Sequence, residues 1–335
     1  MPALAIDIGT YSLKFISGEA RLKPNITRVV EVPNTLGFAA PADDAQTQKL
    51  SELIDTVIND HKLPRTNVRL SLPESFVSTK VISIPVLTDA ELSSAIDWQA
   101  EQYIPIPKEE ASLQYQVLYR PARGEKNQLM RVLIVGARKA MVERYANALI
   151  NIGTEPVLLE SHLFSVIRAL DVTTADPTSL IANLGASTAD IAMIDQGELQ
   201  FVATSQIGGK IFSKALEQNL NLDINQAEQY KRQYGLDASQ FEGKVSQALM
   251  GAAESLSEEL IKAVRYFQSQ SPNSQLKRVI LAGGASQLPG LTQYLSGKLN
   301  AEVLLIDPFI TATGDIPEAN RQAYTVAMGL MMREL

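Results

Sequence analysis

The sequence contains no cysteine. That excludes disulfides, thiolate metal sites and a cysteine nucleophile. Histidine is nearly as scarce: only His61 and His162 are present, too few for a histidine-built metal centre. Basic residues are in the minority, with 30 Lys and Arg against 37 Asp and Glu and a net charge of −7. No Lys/Arg cluster interrupts this balance, so the basic face of a nucleic-acid binder is not expected. The first residues, Met1 to Gly9, lack both a basic start and a long apolar core, so no secretory signal is expected. The longest apolar runs fall short of a membrane span. These absences predict a soluble, cytoplasmic protein without direct membrane insertion.

What is present is the composition of a folded chain, 45% hydrophobic and 20% charged. At 335 residues it exceeds what one compact core usually carries, and two lobes are expected. Leu4 to Ile8 reads as a buried strand, with a returning strand over Leu13 to Ile16. Leu50, Leu53, Ile54, Val57 and Ile58 have helical spacing and predict a helix over 46–61. Val68 to Leu72 reads as a strand closed by Pro73. A unit of its own follows, with strands over 77–84, 113–119 and 129–135 and a turn over 121–128. Within it, Thr88-Asp89-Ala90-Glu91 is a capping box that opens a helix stopping before Pro105. A helix over 139–152 closes the unit at Gly153. Trp98, Tyr103, Tyr115 and Tyr119 are expected to pack inside it.

A strand over 156–159, a helix over 161–170 and a polar linker over 171–178 lead into the second half. There a strand over 180–184 and a hairpin around Asp195-Gln196-Gly197 are followed by helices over 210–220, 224–234 and 244–270. A strand over 279–282, a helix over 291–299, a strand over 303–306 and a helix over 320–333 complete the chain. Met328, Met331 and Met332 in the last helix read as core residues.

Two segments of the sequence align at a fixed offset of 176: Leu4-Ala5-Ile6-Asp7-Ile8-Gly9 falls on Leu180-Ile181-Ala182-Asn183-Leu184-Gly185, Ser12 on Thr188 and Phe15 on Ile191. Each is a strand, a polar turn with glycine, and a second strand. A lone strand-Asp-x-Gly turn is usually only a hairpin. Its repetition across half the chain suggests two related lobes facing each other. Glycine lets the backbone approach closely and aim successive N–H groups at an anion, so two such turns can grip a polyphosphate from both sides. A carboxylate at the strand end, Asp7, can hold a hydrated magnesium ion beside those phosphates. A third glycine turn, Ala282-Gly283-Gly284-Ala285-Ser286, ends an apolar strand and can accept a flat ring or ribose.

With these three loops in order, the chain resembles the actin, sugar-kinase and heat-shock-chaperone superfamily, and within it the PilM family of type IV pilus assembly proteins. Further points of resemblance are Glu101-Gln102-Tyr103-Ile104-Pro105-Ile106-Pro107 in the inserted unit and Ile207-Gly208-Gly209 after the second hairpin. The resemblance implies an α/β actin-like fold. The first lobe would comprise residues 1–76, 154–175 and 315–335, and the second 176–314 with a helical part near 221–275. Residues 77–153 would form the inserted subdomain that PilM shares with the cell-division protein FtsA.

It implies ATP as the ligand. The phosphates would be held by Asp7, Gly9, Thr10, Tyr11, Ser12 and Lys14 in the first motif and by Asn183, Gly185, Ala186, Ser187 and Thr188 in the second, with Gly208 and Gly209 as further cofactor-binding residues. Glu228 and Lys231 would meet ribose and base, and Gly283, Gly284, Ala285 and Ser286 the adenosine. Asp7 would hold magnesium through water. It also implies a partner, the N-terminal cytoplasmic tail of the inner-membrane pilus protein PilN, and through it other inner-membrane pilus proteins. An FtsA-like division protein or a small-molecule kinase of the same fold is the alternative.

Two positions depart from the superfamily pattern. Asn183 stands where the second motif usually has Asp, and His162 where relatives often carry an acid beside a proline. Glu160, two residues earlier, is the candidate to replace that acid as a catalytic group. His162 itself reads first as a hydrogen-bonded histidine at a helix start, and Lys14 reads equally as a phosphate contact or a solvated hairpin residue. Fewer acids predict ATP binding with weak or absent hydrolysis.

Overall fold

The computed structural model describes residues 2–121, 129–170 and 176–335. The chain opens with a meander of β1 (Pro2–Ile8), β2 (Ser12–Glu19) and β3 (Asn25–Pro33). It continues through α1 (Asp44–His61) to β4 (Val68–Leu72). The inserted segment supplies β5 (Val77–Ile84), α2 (Asp89–Tyr103), β6 (Ala111–Tyr119), β7 (Met130–Arg138) and α3 (Lys139–Ile150). β8 (Pro156–Ser161) and α4 (His162–Leu170) return to the first lobe. The second half holds β9 (Ser179–Leu184), β10 (Ala189–Asp195), β11 (Glu198–Ser205), α5 (Gly209–Leu220), α6 (Ile224–Gln233), α7 (Lys244–Gln270), β12 (Arg278–Ala282), α8 (Leu291–Leu299), β13 (Glu302–Leu305), β14 (Thr313–Gly314) and α9 (Thr325–Met331).

The two lobe sheets repeat one topology. The first runs β14-β3-β2-β1-β4-β8 and the second β11-β10-β9-β12-β13. In each, an antiparallel meander is followed by two parallel strands joined through helices. β1 and β9 are central and fully covered. Their apolar runs are therefore nearly continuous rather than alternating, the pattern of strands buried on both faces.

Local signals explain the element ends. Asp43 caps α1 by accepting from the Gln46 N–H at 2.8 Å, and Lys62 closes it with φ near 53°. Both arms of the capping box at Thr88 and Glu91 form. The hairpin between β10 and β11 turns on Gln196 and Gly197, both left-handed with φ of 51° and 75°, the backbone that suits a two-residue turn between right-twisted strands.

Four differences from the sequence-based expectation have physical reasons. β3 was not predicted; only Ile26 and Val30 of its side chains are buried, and Arg28 and Glu31 break its apolar pattern near the sheet edge. The last helix is shorter than expected, because Asn320 at φ 58° starts a 3₁₀ turn over Arg321–Tyr324 before α9 begins. α3 leaves the inserted unit: Tyr145, Ala148 and Leu149 join the first-lobe core beside Leu50, Ile54 and Ile58 of α1. Finally, the insert's aromatics face outward, with Trp98 62% exposed and Tyr103 and Tyr115 each 40%. Its core is instead aliphatic, built from Ile82, Ile84, Leu92, Ile96, Met130 and Ile134. Met328, Met331 and Met332 are buried as expected. The turn expected over 121–128 and the linker over 171–178 lie largely outside the described residues.

The lobes join through α4 and α9. Leu163, Val166 and Ala169 of α4 and Val326 of α9 pack on Ile181, Ala192 and Ile280 of the second sheet, while Ala327, Met328 and Met331 pack on Ala3, Ala5 and Ile16 of the first. The insert also touches the second lobe: Arg131 of β7 pairs with Glu198 and donates to the Leu199 carbonyl at 2.8 Å and to Gln200 at 3.1 Å.

Candidate functional site

The two hairpins of the sequence repeat fold in the same register. Asp7 opposes Lys14 across β1–β2, and Asn183 opposes Asp190 across β9–β10. Gly9 N–H donates to the Ser12 carbonyl at 3.1 Å, and Gly185 N–H to the Thr188 carbonyl at 2.9 Å. Each turn thus closes on one N–H, and the hairpin ladders do not use those of Thr10, Tyr11, Ala186 and Ser187. The turns meet across the interlobe cleft, where the Thr10 and Ser187 hydroxyls are 3.0 Å apart. A second bridge runs beside them, with the Arg232 guanidinium 5.4 Å from the centre of the Tyr11 ring.

Glycine is required where these turns are supported from behind. A Cβ on Gly208 would lie 2.6 Å from the Ser187 carbonyl carbon and the Thr188 nitrogen, and Gly209 N–H donates to the Gly185 carbonyl at 2.8 Å. Gly283, at φ 80°, brings its backbone against Leu184 and within 2.8 Å of Asn183 Oδ1 for a built Cβ. The third glycine turn is thereby locked to the end of β9.

The cleft has a volume of about 660 Å³, within the range of small-molecule and cofactor sites. Of the residues expected in it, Asp7, Gly9, Thr10, Tyr11, Ser12 and Lys14 of the first motif line its wall, with Asn183, Gly185, Ala186, Ser187, Thr188, Gly209, Glu228, Lys231, Gly283, Gly284 and Ala285. Gly208 and Ser286 do not. Gly208 supports the second turn from behind, and Ser286 is buried with its hydroxyl donating to the Gly283 carbonyl at 2.7 Å, an internal brace of the third turn. Glu228 and Lys231 form an ion pair at 2.6 Å. Burial works against the Glu228 charge, but Lys231 and Ser213 outweigh it and hold the carboxyl below its ordinary value.

Glu160 requires a correction. It does not line the cleft. Arg168 grips both its oxygens at 2.6 Å and the Ser165 hydroxyl donates to it at 2.7 Å. A carboxylate held this way orients α4 against α9, because Arg168 also donates to the Gly329 carbonyl at 2.9 Å.

The cleft floor carries more charge than Asp7 and Lys14 alone. Asp7 lies 3.6 Å from Lys14 Nζ and 3.4 Å from His162 Nε2, which places Lys14 in the cleft rather than in solvent. His162 Nδ1 is 4.0 Å from Asp190. Nε2 is buried without a hydrogen-bond partner, so His162 is not the satisfied helix-start histidine expected of it. Burial, reinforced by Lys14 and opposed by Asp7, lowers its proton affinity. Asp190 is buried near Glu74 and Asp7; burial first and these charges second push its carboxyl up to about 7. Burial likewise raises Glu74, despite donation from Ser161 at 2.5 Å and Thr79 at 3.1 Å. Asp190 was legible in principle, since the offset of 176 sets it on Lys14. Glu31 was not, because its strand went unrecognised. It accepts from Ser12 at 2.6 Å and from Asn320 at 2.9 Å, tying the first hairpin turn to the segment that leads into α9.

The raised Asp190 has a consequence for stability. Between pH 4 and 7 the folded chain holds a proton there that the unfolded chain has released, so this group's contribution falls as pH rises through that window. Asp190→Asn is expected to match the wild type near pH 5 and to exceed it at pH 8 by on the order of 2 kcal/mol, measured by denaturant unfolding. Equal differences at both pH values would contradict this.

Among the described residues no group of three His, Asp or Glu side chains is placed to hold a metal ion. Asp7, the one expected magnesium contact, lies at the end of β1 beside Lys14 and His162. Among the described residues no helix is long and apolar enough to cross a membrane.

Comparison with known proteins agrees with this architecture. A family model described as type IV pilus assembly protein PilM matches residues 5–335. A solved PilM–PilN type IV pilus biogenesis complex superimposes with a TM-score of 0.85 at 24% identity, covering 98% of this chain and 97% of that one. The ethanolamine utilization protein EutJ from Carboxydothermus hydrogenoformans gives 0.60 at 13% identity, covering 99% and 89%. MreB 5 of Spiroplasma citri bound to AMPPNP gives 0.56 at 11% identity, covering 98% and 94%. At these identities the structural likenesses establish the fold, and it is the actin-like one expected.

Proposed function

The chain belongs to the type IV pilus assembly protein PilM family, and from that membership we propose that it is a nucleotide-binding scaffold of the pilus machine that holds the cytoplasmic N-terminal tail of a PilN-type protein. The observation that carries the nucleotide part is the pair of register-matched hairpin turns meeting at Thr10 and Ser187. Backbone N–H groups on both turns and Lys14 supply donors for phosphate oxygens, as polyphosphate recognition requires. Gly283, Gly284 and Ala285 form the flat wall for adenosine, with the Glu228–Lys231 pair beside the ribose. The solved MreB relative bound to AMPPNP supports the same reading.

The donor set fits a magnesium ion that arrives with ATP. The ion would be held by phosphate oxygens and water, and the Asp7 carboxylate would accept a hydrogen bond from that water. When bound, it neutralises phosphate charge. Asp7 would orient it while Lys14 takes up the remaining negative charge. Asn183 occupies the place matching Asp7 in the second hairpin but brings no charge, and Glu160 is engaged elsewhere. The expected result is ATP retention with turnover well below one per second for the isolated protein, measured by phosphate release. Several turnovers per second would contradict it.

The partner reading is supported by the family and by the solved PilM–PilN complex. An extended peptide docking in a groove would couple this chain to a membrane-embedded assembly, and would place it at the cytoplasmic side of the inner membrane. The test is calorimetric titration of the ATP-loaded protein with the N-terminal tail peptide of the PilN-like protein from the same genome. Saturable one-to-one binding is expected. No binding by folded, nucleotide-loaded protein would move the assignment toward an FtsA-like or kinase role.

A further inference from the structure

We infer that His162 is the specificity-determining residue of the cleft: its imidazole recognises the terminal phosphate and so distinguishes a nucleoside triphosphate from a diphosphate. This rests on the nucleotide reading above. Among the described residues only two buried side-chain polar atoms lack a hydrogen-bond partner, Thr154 Oγ1 and His162 Nε2. A buried polar atom without a partner is costly. Of the two residues, only His162 lines the cleft.

The placement of His162 selects the ligand atom. α5, through Gly209, and the third glycine turn, through Ala285, flank the second hairpin turn on one side, where a Cβ on Gly209 would meet Ala285 at 3.0 Å. Glu228 and Lys231 lie on that same side, since Lys231 Nζ donates to the Gly209 carbonyl at 3.3 Å. His162 enters from the other side, on the first turn of α4, between Asp7 of the first hairpin and Asp190 of the second. A nucleotide seated with its base near Glu228 and its phosphates on the two turns therefore directs its last phosphate toward His162. A shorter chain ends before it. Neither carboxylate is hydrogen-bonded to the ring: Asp7 is 3.4 Å from Nε2 without bonding geometry, and Asp190 is 4.0 Å from Nδ1. A neutral imidazole offers one donor and one acceptor, and a hydrogen bond to a charged phosphate is of the stronger kind.

With only two histidines in the sequence, protein labelled with ¹⁵N-histidine gives a spectrum in which His61, in the last turn of α1, is an internal reference. A non-hydrolysable ATP analogue is expected to shift the His162 ring nitrogens while ADP leaves them near their unliganded positions, with His61 unmoved by both. In calorimetry, His162→Ala is expected to lower the ratio of triphosphate to diphosphate affinity by about tenfold. His162→Gln, which keeps a donor of similar reach, is expected to retain most of that ratio. Equal shifts of His162 with both nucleotides, or an unchanged affinity ratio in His162→Ala, overturns the inference while leaving nucleotide binding intact. Failure of both nucleotides to bind overturns the nucleotide reading and this one with it.

Discussion

Replacing Gly329 with valine is expected to cost about 3 kcal/mol or more and to prevent the lobes from joining correctly. Gly329 sits in α9 where it crosses α4, and a built Cβ would fall on the Ser165 carbonyl, with the Ser165 Cα only 2.8 Å away. Both neighbours are helix backbone, which cannot yield as a flexible side chain could. The crossing is braced on the same spot, since Arg168 donates to the Gly329 carbonyl while holding Glu160. Overpacking of a rigid contact usually costs 1–3 kcal/mol and occasionally more. Here the residues displaced belong to the junction that packs both sheets, including Val166, Val326 and Met328. Thermal unfolding of Gly329→Val should show a midpoint lowered by many degrees, or no soluble protein. A midpoint within two degrees of wild type would mean that the crossing is looser than described.

The second large effect is on binding. Ser187→Glu places a carboxylate on the turn that faces Thr10, where a polyphosphate would be gripped. Ser187 is partly exposed at the turn surface, so the fold should tolerate the longer side chain, and the thermal midpoint should change little. The added charge would confront phosphate at short range in a partly enclosed cleft, where charge interactions are weakly screened. A loss of ATP affinity of at least a hundredfold is expected, equal to about 2.7 kcal/mol. Titration of the variant beside the wild type measures it. Unchanged affinity would remove the hairpin turns from the binding site.

Packing rather than chain order sets the place of the insert. Its sheet is covered by α2 on one face through Leu92 and Ile96. The other face brings Leu133, Val81 and Val135 toward the second lobe. α3 meanwhile is part of the first-lobe core. The insert thus touches both lobes, and Arg131 is its polar anchor on the second. Its exposed Trp98, Tyr103 and Tyr115 remain outside any core described above.

Much of this was legible in the sequence because the signals were local. The offset of 176 predicted a strand, a glycine turn and a returning strand in each half, and the structure adds that the two hairpins share a register, with Gly9 closing on Ser12 and Gly185 on Thr188. The capping box at Thr88 formed as read, since its spacing determines its hydrogen bonds. What was not legible depends on tertiary neighbours. Helical periodicity shows that Tyr145, Ala148 and Leu149 share a face of α3, but not that α1 covers it. Glu160 resembles any strand-end acid until Arg168, eight positions later, folds back onto it. His162 looked like an ordinary helix-start residue, and only the arrangement of β1, β10 and α4 shows that its Nε2 is left without a partner. Trp98 was read as core because aromatics usually are, yet it lies on the solvent side of α2, whose buried face is carried by Leu92, Ile96 and Ala100.

Calorimetric titration of nucleotide-free protein with ATP in magnesium buffer asks whether the cleft between the two register-matched hairpins binds a nucleoside triphosphate. Saturable binding at one site per chain is expected. Absence of binding heat from protein shown to be folded, over the whole range of ATP concentration, would contradict it.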